Sequence, residues 1–135
     1  MQNPTILDLY SYWIRLKGTQ YAPQRCNVEP GAIRTLLSDT FILETDDLED
    51  ASFRLAGTNI CALFGRDLKG VKFLDLWGDH GRETLSSSLR ILRNDSACIF
   101  ATWKSSTARY HATEGELILI PLSHEGKINR VLGAF

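Results

Sequence analysis

The chain has 135 residues, 44% of them hydrophobic and 23% charged, with 15 lysines and arginines against 16 acids for a net charge of −1. That length fits one domain with a real core and leaves little room for two. The even charge provides no field for gripping nucleic acid or an anionic membrane.

No apolar run approaches the roughly 18 residues of a spanning helix, and MQNPTILDLY lacks the basic region of a secretory signal. Cysteines stand at 26, 61 and 98, odd in number and without a CxxC pair, so neither a disulfide framework nor a zinc knuckle is indicated. The expectation is a cytoplasmic protein with reduced thiols.

Asn3-Pro4 opens a first helix, with Asn3 as cap and Pro4 at the first helical position. Ile6, Leu9, Tyr10, Trp13, Leu16 and Lys17 follow helical spacing, and Gly18 ends the run. This large aromatic side needs a partner surface, its own domain or another chain. Residues 19–29 form a connector, and a second helix starts at Pro30 and carries Ile33, Leu36 and Leu37.

Strands follow at 41–45 (FILET) and 52–56 (SFRLA), joined by the acid-rich ETDDLED, which reads as a solvated hairpin turn because it lacks the ligand spacing of a calcium loop. In FRLAGTNICALFGRDLKG, Gly57 ends a strand, Gly65 ends a short helix and Gly70 closes a turn. Asp79 is the expected cap of a longer helix to about Asn94. Its apolar face is Leu85, Leu89 and Leu92, and Arg82, Ser86, Arg90 and Arg93 lie opposite as a solvated face. Strands are expected at 97–104, 109–122 and 128–135, the second containing the apolar run LILIPL and the last two joined by a turn at 124–127. The final VLGAF is an abrupt apolar ending, and continuation past Phe135 is the expectation. No repeat, linker or low-complexity tract interrupts the chain.

Hairpins near both ends with a helical crossover between them predict an α+β domain, a five-stranded antiparallel sheet with helices covering one face. The order of elements resembles that of PAS domains. Within that family the chain is similar to the single-domain PAS-like regulators common in alphaproteobacteria. The pieces that carry the resemblance are LYSYWIRLKG, PQRCNVEPGAIRTLLSDTFILE, FRLAGTNICALFGRDLKG with FLDLW, and LILIPL with NRVLGAF. It departs from that pattern at Cys26-Asn27, where an acidic residue is common. The resemblance implies a PAS-like core over residues 38–135 behind a helical flank over 1–37. It implies a sensory or signalling module, with outlying helices that pair between protomers. Leu9, Tyr10, Trp13 and Leu16 are then the candidate homodimer contacts, and a regulatory protein is the alternative partner.

Specific chemistries are weighed against this frame. A phosphate loop needs GxxxxGK followed by Ser or Thr, and after Gly57 the second glycine comes late with no lysine behind it. Light-sensing PAS relatives carry the run Asn-Cys-Arg-Phe, whereas this chain has Asn59-Ile60-Cys61-Ala62, so Cys61 reads as a small buried apolar residue. A haem-holding relative needs an axial histidine. His80 sits at the helix rim, and His80, His111 and His124 make no metal set by spacing. Ser86-Ser87-Ser88 lies on a helix without a nucleophile elbow, so no catalytic role is assigned. No flavin, haem or metal motif is identified. What remains is an apolar cavity walled by Phe64, Phe73, Trp77, Leu89, Ile99 and Trp103, or the same side chains packed into a filled core. The reading is a non-catalytic sensory domain for a small apolar ligand, against a ligand-free interaction module and, third, an enzyme whose site forms only in the fold.

Overall fold

The computed structural model describes residues 3–19, 22–24, 27–44, 50–104 and 114–135. Predicted strand residues 109–113 with His111, together with Cys26 and residues 45–49 of the acid-rich turn, lie outside them.

Helix α1 (Pro4–Lys17) starts as its sequence dictates. The Asn3 side-chain oxygen accepts from the backbone N–H of Thr5 (2.9 Å) and Ile6 (3.3 Å), and Gly18 closes the helix at φ 52°. The strands are β1 (Thr40–Glu44), β2 (Ser52–Ala56), β3 (Ile99–Lys104), β4 (Glu114–His124) and β5 (Lys127–Ala134). They form one antiparallel sheet in the order β2-β1-β5-β4-β3, so the first and last strands pair at its centre. The crossover from β2 to β3 carries α2 (Thr58–Phe64), a 3-10 turn (Phe73–Leu76) and α3 (Asp79–Asp95).

Gly57 follows β2 and caps α2 against the 30–39 segment. A Cβ there would lie 2.3 Å from the Leu37 carbonyl oxygen, so no larger residue fits. Residues 70–73 bond along the outer edge of β2 through Gly70 N–H to Phe53 (2.8 Å) and Phe73 N–H to Ala51 (2.9 Å). That edge is thereby closed to further strands.

The sheet is covered on both faces. On one, α2, the 3-10 turn and α3 bury Phe41, Leu43, Phe53, Phe73, Leu117, Leu119 and Val131. The α3 face is Leu85, Leu89 and Leu92, as the spacing predicts. On the other, α1 and the 3-10 segment Pro30–Asp39 cover Ile42, Ile118, Ile120, Leu122 and Leu132. Ile42, Leu132 and Ile120 stand in register across three strands beneath this cover. Two-sided cover explains why β4 runs buried from Leu117 to Ser123 without alternation. Among the described residues of the flank, Ile6, Leu9, Tyr12, Trp13, Val28 and Ile33 therefore share one apolar cluster with the sheet.

One expected cap differs. Gly78, not Asp79, is the cap of α3, and Asp79 is its first residue, where its charge suits the positive end of the helix dipole.

Candidate ligand cleft

The residues expected to wall a cavity divide between the packed core and an open cleft. Phe73 and Leu89 are fully buried in the core, while Phe64, Trp77, Ile99 and Trp103 pack around it half-exposed. Rings of Phe41, Phe53 and Phe73 meet at 5.4–5.9 Å. Phe135, which sequence reasoning passed over as a strand end, is the hub of a second group. Its ring lies 5.2 Å from Phe41, 5.4 Å from Phe64, 6.0 Å from Trp77 and 6.4 Å from Trp103. Its only sequence signal was an aromatic two residues past Gly133.

Of the six predicted wall residues, Trp77 and Trp103 line an open space. It is a cleft of about 390 Å³ between the start of α3 and the β3 edge of the sheet. Leu85, Ala101 and Leu117 complete its apolar walls, and His80 and Thr84, one turn apart on α3, bring polar groups to it. His80 was read as a rim residue without this role. Phe135 closes the core behind both tryptophans.

The two indoles are held differently. Trp103 stands opposite Gly115 in the β3–β4 pairing, and a Cβ on Gly115 would come 2.6 Å from its ring. The Trp103 ring thus lies over a glycine that only an absent side chain permits. Its Nε1 donates to the Glu116 carbonyl at 3.3 Å. Trp77 lies in an extended link between the 3-10 turn and α3 (φ −114°, ψ 148°), stacked on Phe135 at 20° between planes.

The predicted partner-facing side of α1 is largely turned inward, which corrects the expectation for two of its four residues. Leu9 and Trp13 are buried, and Trp13 Nε1 donates to the Pro121 carbonyl at 3.1 Å. The physical reason is that the Ile118–Ile120–Leu122 row would otherwise face water. Tyr10 and Leu16 remain half-exposed, with Tyr10 edge-on to Phe100 at 5.3 Å. Leu7 and Ile14 are the exposed apolar residues of the helix.

Burial pushes the Cys98 thiol up to about 12, with Lys17 opposing, which keeps it protonated and unreactive at neutral pH. Cys61 is half-buried and its Sγ lies 3.9 Å from the Ala56 carbonyl oxygen. Among the described residues no three His, Cys, Asp or Glu side chains are grouped to hold a metal, and no helix is long and apolar enough to cross a membrane.

The PAS domain family model matches residues 1–135, the whole chain. This chain belongs to the PAS domain family. A crystal structure of a sensory box sensor histidine kinase from Vibrio cholerae shares its fold, with a TM-score of 0.53 and 17% identity over 76% of this chain and 89% of that one. No curated protein matches the sequence. The PAS architecture accounts for the central pairing of β1 with β5 and for the helical crossover beside which the cleft lies. PAS domains are in general sensory modules without catalysis, and membership of the family suggests a signalling or sensory role for this one.

Proposed function

We propose that this PAS domain is a non-catalytic cytoplasmic sensor that takes a small, largely apolar ligand in the Trp77–Trp103 cleft and passes its state on through protein–protein contacts. The observation that carries the reading is the cleft itself. Two indoles and three aliphatic side chains form its walls, and four polar side chains, His80, Thr84, Thr102 and Lys104, complete the lining, a mainly apolar site with a few polar groups. The ordered runs from LYSYWIRLKG to NRVLGAF further favour the alphaproteobacterial single-domain PAS-like regulators as its closer kin.

The test is a thermal-shift screen of the purified protein against aromatic and aliphatic metabolites, with native mass spectrometry for a carried ligand. A ligand at a hundredfold its Kd adds about 2.7 kcal/mol, raising Tm by roughly 8–12 °C for a domain of this size. Protein that is uniformly empty and that no compound stabilises speaks for the interaction-module reading instead.

That second reading has its own support on α1. Leu7 and Ile14 are exposed two turns apart, and Asp8 and Arg15 repeat the same spacing beside them. An antiparallel pairing of two copies about a twofold axis near Ser11 sets Leu7 against Ile14 and Asp8 against Arg15, which makes the stripe self-complementary. A regulatory protein docking on the same stripe is the alternative occupant. Sedimentation of the protein across a concentration series separates monomer from dimer.

A further inference from the structure

The chain has three tryptophans, and their indole nitrogens are not treated alike. Trp13 donates to Pro121 and Trp103 donates to Glu116. Trp77 Nε1 is buried and finds no hydrogen-bond partner among the described residues. A buried donor left unpaired destabilises the state that contains it, by a factor of about ten in the equilibrium against any state that pairs it. This donor belongs to a ring that forms one wall of the cleft.

We infer that Trp77 is the ligand-reading residue of this cleft, and that the ligand is a planar aromatic molecule bearing a neutral hydrogen-bond acceptor, which the Trp77 indole N–H engages. This rests on the reading of the cleft as a ligand site and adds the ligand's chemical class and the residue that senses it.

Three features carry the inference. The first is shape: indole faces at Trp77 and Trp103 favour a flat ring offset-stacked or edge-on between them, and the largely apolar walls, with Lys104 also in the lining, disfavour a cationic body. The second is mobility. Trp103 is held by Gly115 and by its bond to Glu116, whereas the Trp77 ring has no hydrogen bond among the described residues and is held by ring contacts, to Phe73 at 5.9 Å and Phe135 at 6.0 Å. The residue facing it one turn into α3 is Gly81, which has no side chain to block a turn of the ring; a Cβ there would already touch the Trp77 Cβ at 3.4 Å. The third is the gain on binding. In the free protein the N–H is buried and has no partner among the described residues, so it meets an acceptor in the cleft only when the ring turns; the acceptor then stabilises the rotated ring by more than the resting one, and only such a difference shifts a conformational equilibrium. Because Trp77 stacks on Phe135 at 6.0 Å, the rotation is felt immediately beyond Ala134, at the end of the central strand β5.

Quinoline and naphthalene test this cleanly, since they share one shape and differ by a ring nitrogen acceptor. The protein is labelled with ¹⁵N, and its three indole N–H signals are assigned with Trp13→Phe, Trp77→Phe and Trp103→Phe. At neutral pH quinoline is expected to bind about tenfold tighter than naphthalene and to move the Trp77 indole proton downfield, while Trp77→Phe binds the two equally. Equal affinities in the unmodified protein, with the Trp77 signal unmoved by quinoline, overturn the inference and leave the cleft standing as a ligand site. Failure of both probes to shift any cleft residue overturns the cleft reading together with it. The indole shift in the unmodified protein decides the matter even where Trp77→Phe folds poorly.

Discussion

Phe135→Ala removes the ring that separates the Trp77–Trp103 cleft from the packed core. Truncating a fully buried phenylalanine costs about 3–5 kcal/mol. Phe135 is half-exposed but touches four other rings, so the expected loss is about 2–3 kcal/mol. That corresponds to a fall in Tm of roughly 7–11 °C. The space left behind is apolar and opens toward the cleft, a setting in which benzene binds engineered cavities. Urea unfolding of both proteins, with and without benzene, measures the two effects. Benzene at several times its Kd is expected to restore about 1 kcal/mol to the variant and little to the parent. A loss below about 1 kcal/mol refutes the assignment of Phe135 as the hub of this ring cluster. A full loss with no benzene effect refutes the open cavity, because the neighbouring rings would then have collapsed into the gap.

Three more outcomes are expected. Gly115→Ala sets a methyl where the Trp103 ring now lies, so it should cost about 1–3 kcal/mol and weaken binding of any cleft ligand; an unchanged melt would show that Trp103 has room to move aside. The Cys98 thiol is raised from 9.0 to about 12 on folding, so the folded state holds its proton longer; stability is complete below about pH 9 and declines as pH rises toward 12, a decline that Cys98→Ala should lessen in urea titrations across that range. Ile14→Asp places a charge in the exposed α1 stripe; if the stripe joins two copies, sedimentation should show the dimer lost, while urea unfolding at concentrations where the parent is also monomeric changes by no more than about 0.5 kcal/mol, as for an ordinary surface change.

Much of the fold was legible because local chemistry and burial agree. The Asn3 cap with Pro4, the 3.6-residue spacing of Leu85, Leu89 and Leu92, and the hairpin ends of Ser52–Ala56 each depend on residues within a turn or two of one another. The run LILIPL showed a buried strand for the same reason: a strand covered on both faces has no polar alternation to display. The cap of α3 was displaced by one residue because Gly78 and Asp79 are both acceptable at that position, and the backbone decided between them.

The cleft was half legible. Trp77 and Trp103 stood out as large residues beside the crossover, but nothing local distinguishes them from Phe73 and Leu89, which are sealed in the core. His80 and Thr84 could have been paired by their spacing of four on one helix face, had the opposite wall been known. Phe135 meets residues from β1, α2 and β3, contacts between parts of the chain too distant for any periodicity to register.

By itself, then, the sequence determined the elements, their order and the antiparallel, helix-crossed topology of a PAS domain, because caps, glycines and apolar spacing act over a few residues. Only the tertiary structure decided that α1 spends Leu9 and Trp13 on its own sheet, that Phe135 plugs the core, and that Trp77 keeps a buried N–H without a partner among the described residues, beside an open cleft. Each of those depends on which distant surfaces compete for the same apolar side chain, and that competition is resolved only when the whole chain packs.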